Sequence, residues 1–137
     1  MGTPLFGTFG IAGSGVTVYR KWLDAISDNI ANLNNATSPT SDAFRAKYVV
    51  AQAVDYGSGE GGVEVAGIAE GSGAGPLVFE PDHPLADADG YVKYPDIDLG
   101  AQMAQMIMAQ RGYQANLAVV DRAKDAYQAA IQIGRNS

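Results

Sequence analysis

Between Leu5 and Leu33, apolar residues return every three or four positions. Leu5, Phe9, Ala12, Val16, Tyr19, Leu23, Ile26, Ile30 and Leu33 are spaced four, three, four, three throughout. A seven-residue repeat with two apolar positions is the seam of a helix that winds against another helix. Gly7, Gly10, Gly13 and Gly15 weaken its start, each costing roughly 1 kcal/mol against alanine. The pattern therefore predicts a firm helix from about Ala12 and a conditional one before it. "NNATSPTS" ends it, because Ser38 is pushed out of the helical region by the proline that follows and Pro39 cannot continue a helix.

The same register returns at the other end of the chain. Leu99, Met103, Met106, Gln110, Tyr113, Leu117, Val120, Lys124, Tyr127 and Ile131 repeat in sevens, with Gln110 and Lys124 as polar breaks. Asp96 or Asp98 caps the start, where a carboxylate suits the positive end of the helix dipole, and Gly134 with Arg135 marks the stop. A helix from about Asp98 to Ile133 would be roughly 50 Å long at 1.5 Å per residue. A second stripe runs along it: Ala104, Met108, Ala115, Val119, Ala126, Ala130 and Ile133. One partner helix covers one face, so the second stripe calls for other chains.

From about Ser38 to Tyr94 the helical period is lost. "AKYVVAQAV", "VEVAGIAE" and "PLVFE" read as short strands between glycine-rich loops, and Asp89-Gly90 is the commonest two-residue hairpin turn. The expectation is a mainly α chain in three segments. Residues 1–36 and 96–137 form long helices that pair as a coiled coil, and residues 37–95 form a glycine-rich, β-containing middle.

Charge narrows the function. The net charge is −6, and from Asp55 to Asp98 ten carboxylates face only Lys93. Nucleic acid, which needs cations against its phosphates, is disfavoured as a partner. There is no cysteine, so no disulfide or thiolate metal site. No apolar run reaches the roughly 18 residues of a membrane span. No Lys or Arg precedes Arg20, so the basic start of a cleaved signal is missing.

Candidate chemistry is weak throughout. "GSGEGG", residues 57–62, matches GxGxxG, but a strand-like stretch follows where a dinucleotide site needs a helix. Asp87, Asp89 and Gly90 fall on calcium-loop positions, yet Leu85 stands where the first acid belongs and Asp96 where the bidentate Glu belongs. His83 is the single histidine, too little for zinc, and none of Ser14, Ser58 and Ser72 sits in GxSxG. Neither catalysis nor a cofactor is expected.

"NIAN", Asn29 to Asn32, closes the first helix and resembles the asparagine motif of bacterial flagellar rod and hook proteins. "VFEPDHPLADADGYVKYPDIDLGAQMAQMIMAQRGYQAN", residues 78–116, resembles the signature of that family's proximal-rod members, with Asp98, Met103, Arg111, Tyr113, Gln114 and Asn116 on matching positions. Gln102 stands where the family commonly has Glu.

The resemblance implies a structural subunit of the basal-body rod, which joins motor to hook and transmits torque in motility. It implies terminal helices that form the inner tube, with the middle segment outside. It also implies export by the flagellar type III apparatus without a cleaved signal, followed by assembly in the periplasm. The implied partners are copies of the chain, other rod proteins and neighbouring basal-body components. The expected helix and subunit interface is Leu5, Phe9, Val16, Tyr19, Leu23, Ile26, Ile30 and Leu33 with Leu99, Met103, Met106, Tyr113, Leu117, Val120, Tyr127 and Ile131. Asn29, Asn32, Arg111, Tyr113, Gln114 and Asn116 carry the family motif. The competing reading is a soluble coiled-coil adaptor that binds one partner helix and forms no filament.

Overall fold

The computed structural model describes residues 4–57 and 61–137, with side chains from residue 7 onward. Its first element, α1, is one continuous helix over Pro4–Ala31. The glycine-rich start expected to be conditional is helical as well. Pro4 opens it, a position where proline's fixed φ fits and its missing N–H is not needed. The last element, α2, spans Leu99–Arg135, about 55 Å at 1.5 Å per residue. Of the two candidate caps Asp98 is used: its side chain accepts from the Ala101 N–H at 2.9 Å.

Four strands lie between the helices: β1 (Lys47–Asp55), β2 (Gly61–Glu70), β3 (Leu77–Phe79) and β4 (Tyr91–Lys93). β1 and β2 form one antiparallel sheet, β3 and β4 another. The first register steps from Val50–Gly67 to Ala51–Val65, a bulge that takes in Ala66. The second pairs Phe79 with Tyr91 and Val78 with Val92. After α1 the chain lies along β4, where Thr37 and Lys93 exchange two backbone hydrogen bonds of 2.8 Å.

Two expectations are corrected here. The fold is mixed α/β rather than mainly α. The helices take 28 and 37 residues, while the middle builds strands of nine and ten residues that pack on α1. Val18, Tyr19 and Trp22 of α1 meet Val49, Ala51 and Val63 of the β1–β2 hairpin across a groove of about 290 Å³. Ser14 Oγ accepts from the Val63 N–H at 3.1 Å. Gly62 allows that approach, since a Cβ there would lie 2.8 Å from the same oxygen. The middle thus covers one face of α1, which its glycine content had concealed.

The second correction concerns Asp89-Gly90, which is not a two-residue hairpin. It closes a long loop between β3 and β4, with the Gly90 N–H donating to the Asp87 carbonyl at 3.0 Å. Gly90 has φ +85, and a Cβ would strike the Phe79 ring at 2.7 Å, so glycine is required by the close approach as well as by the backbone.

The buried apolar positions among the described residues are Ala12, Val18, Ala25, Ile26, Ala43, Ala46, Val92, Ala109 and Ala123. Six of these nine are alanine, so the area buried per position is small. Apart from Val18, Ile26 and Val92, the larger apolar side chains stay partly on the surface.

Candidate functional site: the helix pair and its open flanks

The two helices run antiparallel in a constant register. Asn29 meets Gln102, Tyr19 meets Gly112 and Gly15 meets Asn116. Ten residues back along α1, from Asn29 to Tyr19, match ten forward along α2, from Gln102 to Gly112. The contact is close because its residues are small. A Cβ on Gly112 would overlap the Tyr19 ring, and one on Gly15 would lie 2.6 Å from Asn116 Oδ1. Asn116 is held in place by donating to the Gly112 carbonyl at 2.8 Å.

The seam on α2 therefore follows Gln102, Ala109, Asn116 and Ala123, of which Gln102, Ala109 and Ala123 are buried. This line lies one residue before the expected Met103, Gln110, Leu117 and Lys124. In the other half of the repeat, Met106, Tyr113 and Val120 are half-buried. On α1, Ile26 is fully buried, while Phe9, Val16, Tyr19, Leu23, Ile30 and Leu33 are half-buried. The Leu5 side chain lies outside the described residues.

Leu99, Met103, Leu117, Tyr127 and Ile131 are 43%, 54%, 36%, 40% and 44% exposed. The second stripe is open too, with Met108 at 54%, Val119 at 40% and Ile133 at 73%. Ile107 at 51% lies between the two lines, so α2 presents apolar side chains on both flanks of its contact with α1. Of the motif residues, Asn29 is buried, Asn32, Tyr113 and Asn116 are half-buried, and Arg111 and Gln114 are exposed.

The asparagine motif has an internal task. Asn29 is 1% exposed. Its Nδ2 donates to the Lys47 carbonyl at 2.9 Å and to Gln102 Oε1 at 3.0 Å, and its Oδ1 accepts from the Lys47 N–H at 2.7 Å. The side-chain amide pairs with Lys47 as a neighbouring strand would. It joins the end of α1, the start of β1 and the first turns of α2 at one buried point. Lys47 Nζ adds a 2.7 Å ion pair to Asp28 at the surface. Asn32 donates to the Asp28 carbonyl at 2.8 Å and finishes the helix. No buried side-chain polar atom among the described residues lacks a partner.

Gly15, Ala109, Gly112 and Ala123 escape a pattern that weighs large apolar residues, and Gln102 escapes it because it is polar. Moving the line back by one residue exchanges the polar breaks at Gln110 and Lys124 for Gln102 and Asn116, so the repeat itself carries no signal for the shift. Residues 58–60 of "GSGEGG", Ser58 among them, lie outside the described residues; β2 begins at Gly61, a strand where a dinucleotide loop needs a helix. Asp87 Oδ1 accepts from the backbone N–H of Asp89 and Tyr91 at 3.0 and 2.9 Å, which holds the loop. No cluster of three or more His, Cys, Asp or Glu suited to a metal occurs among the described residues. No helix among them is long and apolar enough to cross a membrane.

Residues 88–133 match the family described as flagellar basal body rod FlgEFG protein C-terminal. The chain is 40% identical over 133 residues to the flagellar basal-body rod protein FlgC of Salmonella typhimurium, covering 96% of this chain and 98% of that one. It is 39% identical to the FlgC of Escherichia coli O6:H1, with 96% and 98% covered. It is 30% identical to that of Borreliella burgdorferi, with 94% and 97% covered.

Proposed function

The chain belongs to the FlgC family of flagellar basal-body rod proteins and is a structural subunit of that rod, and from this premise we propose that it polymerises through its two terminal helices. In this reading the helices pair as a coiled coil and form the tube wall of the proximal rod. That wall links motor to hook and transmits torque. Copies of the chain and other rod proteins cover the flanks of α2. The flagellar type III apparatus exports the chain without a cleaved signal, and it assembles in the periplasm. The expected interface residues, from Phe9 and Val16 on α1 to Leu117 and Ile131 on α2, divide between the two kinds of contact. The half-buried ones hold the pair, and the exposed ones meet the next subunit.

The observation that carries this reading is the apolar surface on both sides of the α1–α2 contact. Apolar patches of that extent mark partner surfaces. A surface that is not self-complementary builds heterologous contacts, which can continue as a helical assembly. The adaptor reading is not supported, because relatives matching nearly the whole chain are rod proteins.

The test is a tagged chain in otherwise normal flagellated cells. Isolated basal bodies should retain the tag after the hook and filament are removed, and deletion should leave cells non-motile and without a rod. A tag found only in the soluble fraction, or a deletion strain that still builds rods, would reject the proposal.

A further inference from the structure

The negative charge is concentrated in the middle of the chain, and α2 is net positive. Between residues 37 and 98 there are eleven carboxylates and three cations, whereas α2 carries Arg111, Arg122, Lys124 and Arg135 against Asp121 and Asp125. Each region also has an exposed apolar patch. On the β3–β4 lobe, Leu77, Phe79 and Tyr91 share one face at 55%, 61% and 39% exposure. The Phe79 and Tyr91 rings stand edge-on, 5.4 Å apart. The loop from β3 to β4 sets Asp82 and Asp89 in solvent beside them. On α2, the exposed Met108, Arg111, Ala115, Val119 and Arg122 form one strip at helical spacing. Neither arginine makes an ion pair among the described residues. Along the strip's edge lies a recess of about 330 Å³, lined by Thr8, Ile11, Ala12, Asn116 and Val119.

We propose that the acidic, aromatic β3–β4 lobe of one copy docks on the cationic, apolar strip of α2 in the next copy. Phe79 enters the recess beside Val119, and Asp82 and Asp89 face Arg122 and Arg111. An exposed aromatic with a recess of suitable size is the usual anchor of an interface, and the charges around it set register and exclude wrong partners. The contact cannot close within one chain. The lobe leads directly into the start of α2 at Leu99, and Arg111 and Arg122 lie roughly 18 and 35 Å further along that helix. A second copy, displaced along the helix axis, brings the two surfaces together. The lobe and the strip are different surfaces, so each copy keeps one of each for its neighbours.

This inference rests on the rod reading, and the test separates the two. The chain has no cysteine, so Leu77→Cys and Val119→Cys can be introduced together and cells treated with a short bismaleimide before basal bodies are isolated and blotted. The expected result is a product of twice the 14.3 kDa chain, absent from each single-cysteine variant. Adding Asp82→Arg should lower its yield at least tenfold, and further addition of Arg122→Glu should restore it. Presence of the double-cysteine chain in basal bodies without a dimer would overturn the contact while leaving the rod reading intact. A product of another mass from Leu77→Cys alone would assign the lobe to a different protein and overturn it as well. Absence of the tagged, unmutated chain from basal bodies would sink the rod reading and this contact with it.

Discussion

Leu117→Asp separates contacts inside the chain from contacts between chains. Leu117 lies on the flank of α2 and is 36% exposed. Burying a whole leucine side chain stabilises by about 1.5–3 kcal/mol. With roughly a third of it still open, a neighbour gains only about 0.5–1 kcal/mol by covering the rest. Leu117→Ala should therefore weaken assembly mildly. Aspartate behaves differently. In the free chain its carboxylate can turn to water, so the fold should survive. Under a neighbouring subunit it becomes an unpaired buried charge, at several kcal/mol per contact. Repeated in every copy, that exceeds the gain from covering the leucine several-fold. The expected outcome is a chain that reaches the periplasm, keeps the helix content of the unmutated protein by circular dichroism, enters no basal bodies and leaves cells non-motile. Gln110→Asp, at a position already polar and exposed, should be milder. Normal swimming by Leu117→Asp would show that no subunit covers this flank. Loss of helix in the purified variant would show that the damage lies inside the chain.

Three further substitutions test the joints within the chain. Gly112→Ala should destabilise the purified protein by about 1–3 kcal/mol in urea unfolding despite alanine's better helix propensity, because the Tyr19 ring occupies the space; Tyr19→Ala in the same chain should recover part of the loss. Asn29→Ala should cost about 2–4 kcal/mol, since it strips partners from the Lys47 backbone and from the buried Gln102 carbonyl; adding Gln102→Leu should return part of that by removing the orphaned acceptor, and a cost under about 0.5 kcal/mol would deny the joint its role. The Tyr94 phenol is held above its ordinary value of 10.0 because its O–H donates to the Glu80 carboxylate, with desolvation and the Glu80 charge adding to the effect. The stability it contributes is present below pH 10 and is lost as pH rises through the raised value. Ultraviolet titration of Glu80→Gln should show one tyrosine ionising at lower pH than in the unmutated chain, and an unchanged curve would refute the link.

The helices and three of the strands were legible because each carries its own local pattern. Spacing of three and four predicts α1 and α2, alternation predicts β2, and short apolar runs bounded by turn residues predict β1 and β3. The half of the seam built from Ile26, Tyr113 and Val120 was legible for the same reason. The other half was not, because hydrophobic periodicity weighs a methionine above an alanine. Close helix contact reverses that order: Gly15, Ala109 and Gly112 set the spacing, and Met103 and Leu117 are displaced to the flanks. Glycine misled in the middle as well. Gly62 sits in a stretch that reads as a glycine-rich loop and Gly90 in one that reads as a two-residue hairpin turn, and each permits a tight approach, to Ser14 and to Phe79. Asn29 was legible as a motif, but its partners Lys47 and Gln102 are 18 and 73 residues away, a distance no local pattern spans.

That distance also governs when the molecule can fold. α1 gains its helical partner only after the chain between has been gathered in, and closing a 73-residue span costs roughly 4 kcal/mol of loop entropy before any contact repays it. Proteins dominated by such distant pairings fold slowly. A chain emerging in order from residue 1 keeps α1 without its partner until Gln102 and the turns beyond it have followed. On the export route proposed above, the topology works as a delay: the polypeptide stays threadable until nearly all of it is through, and stiffens at the far side.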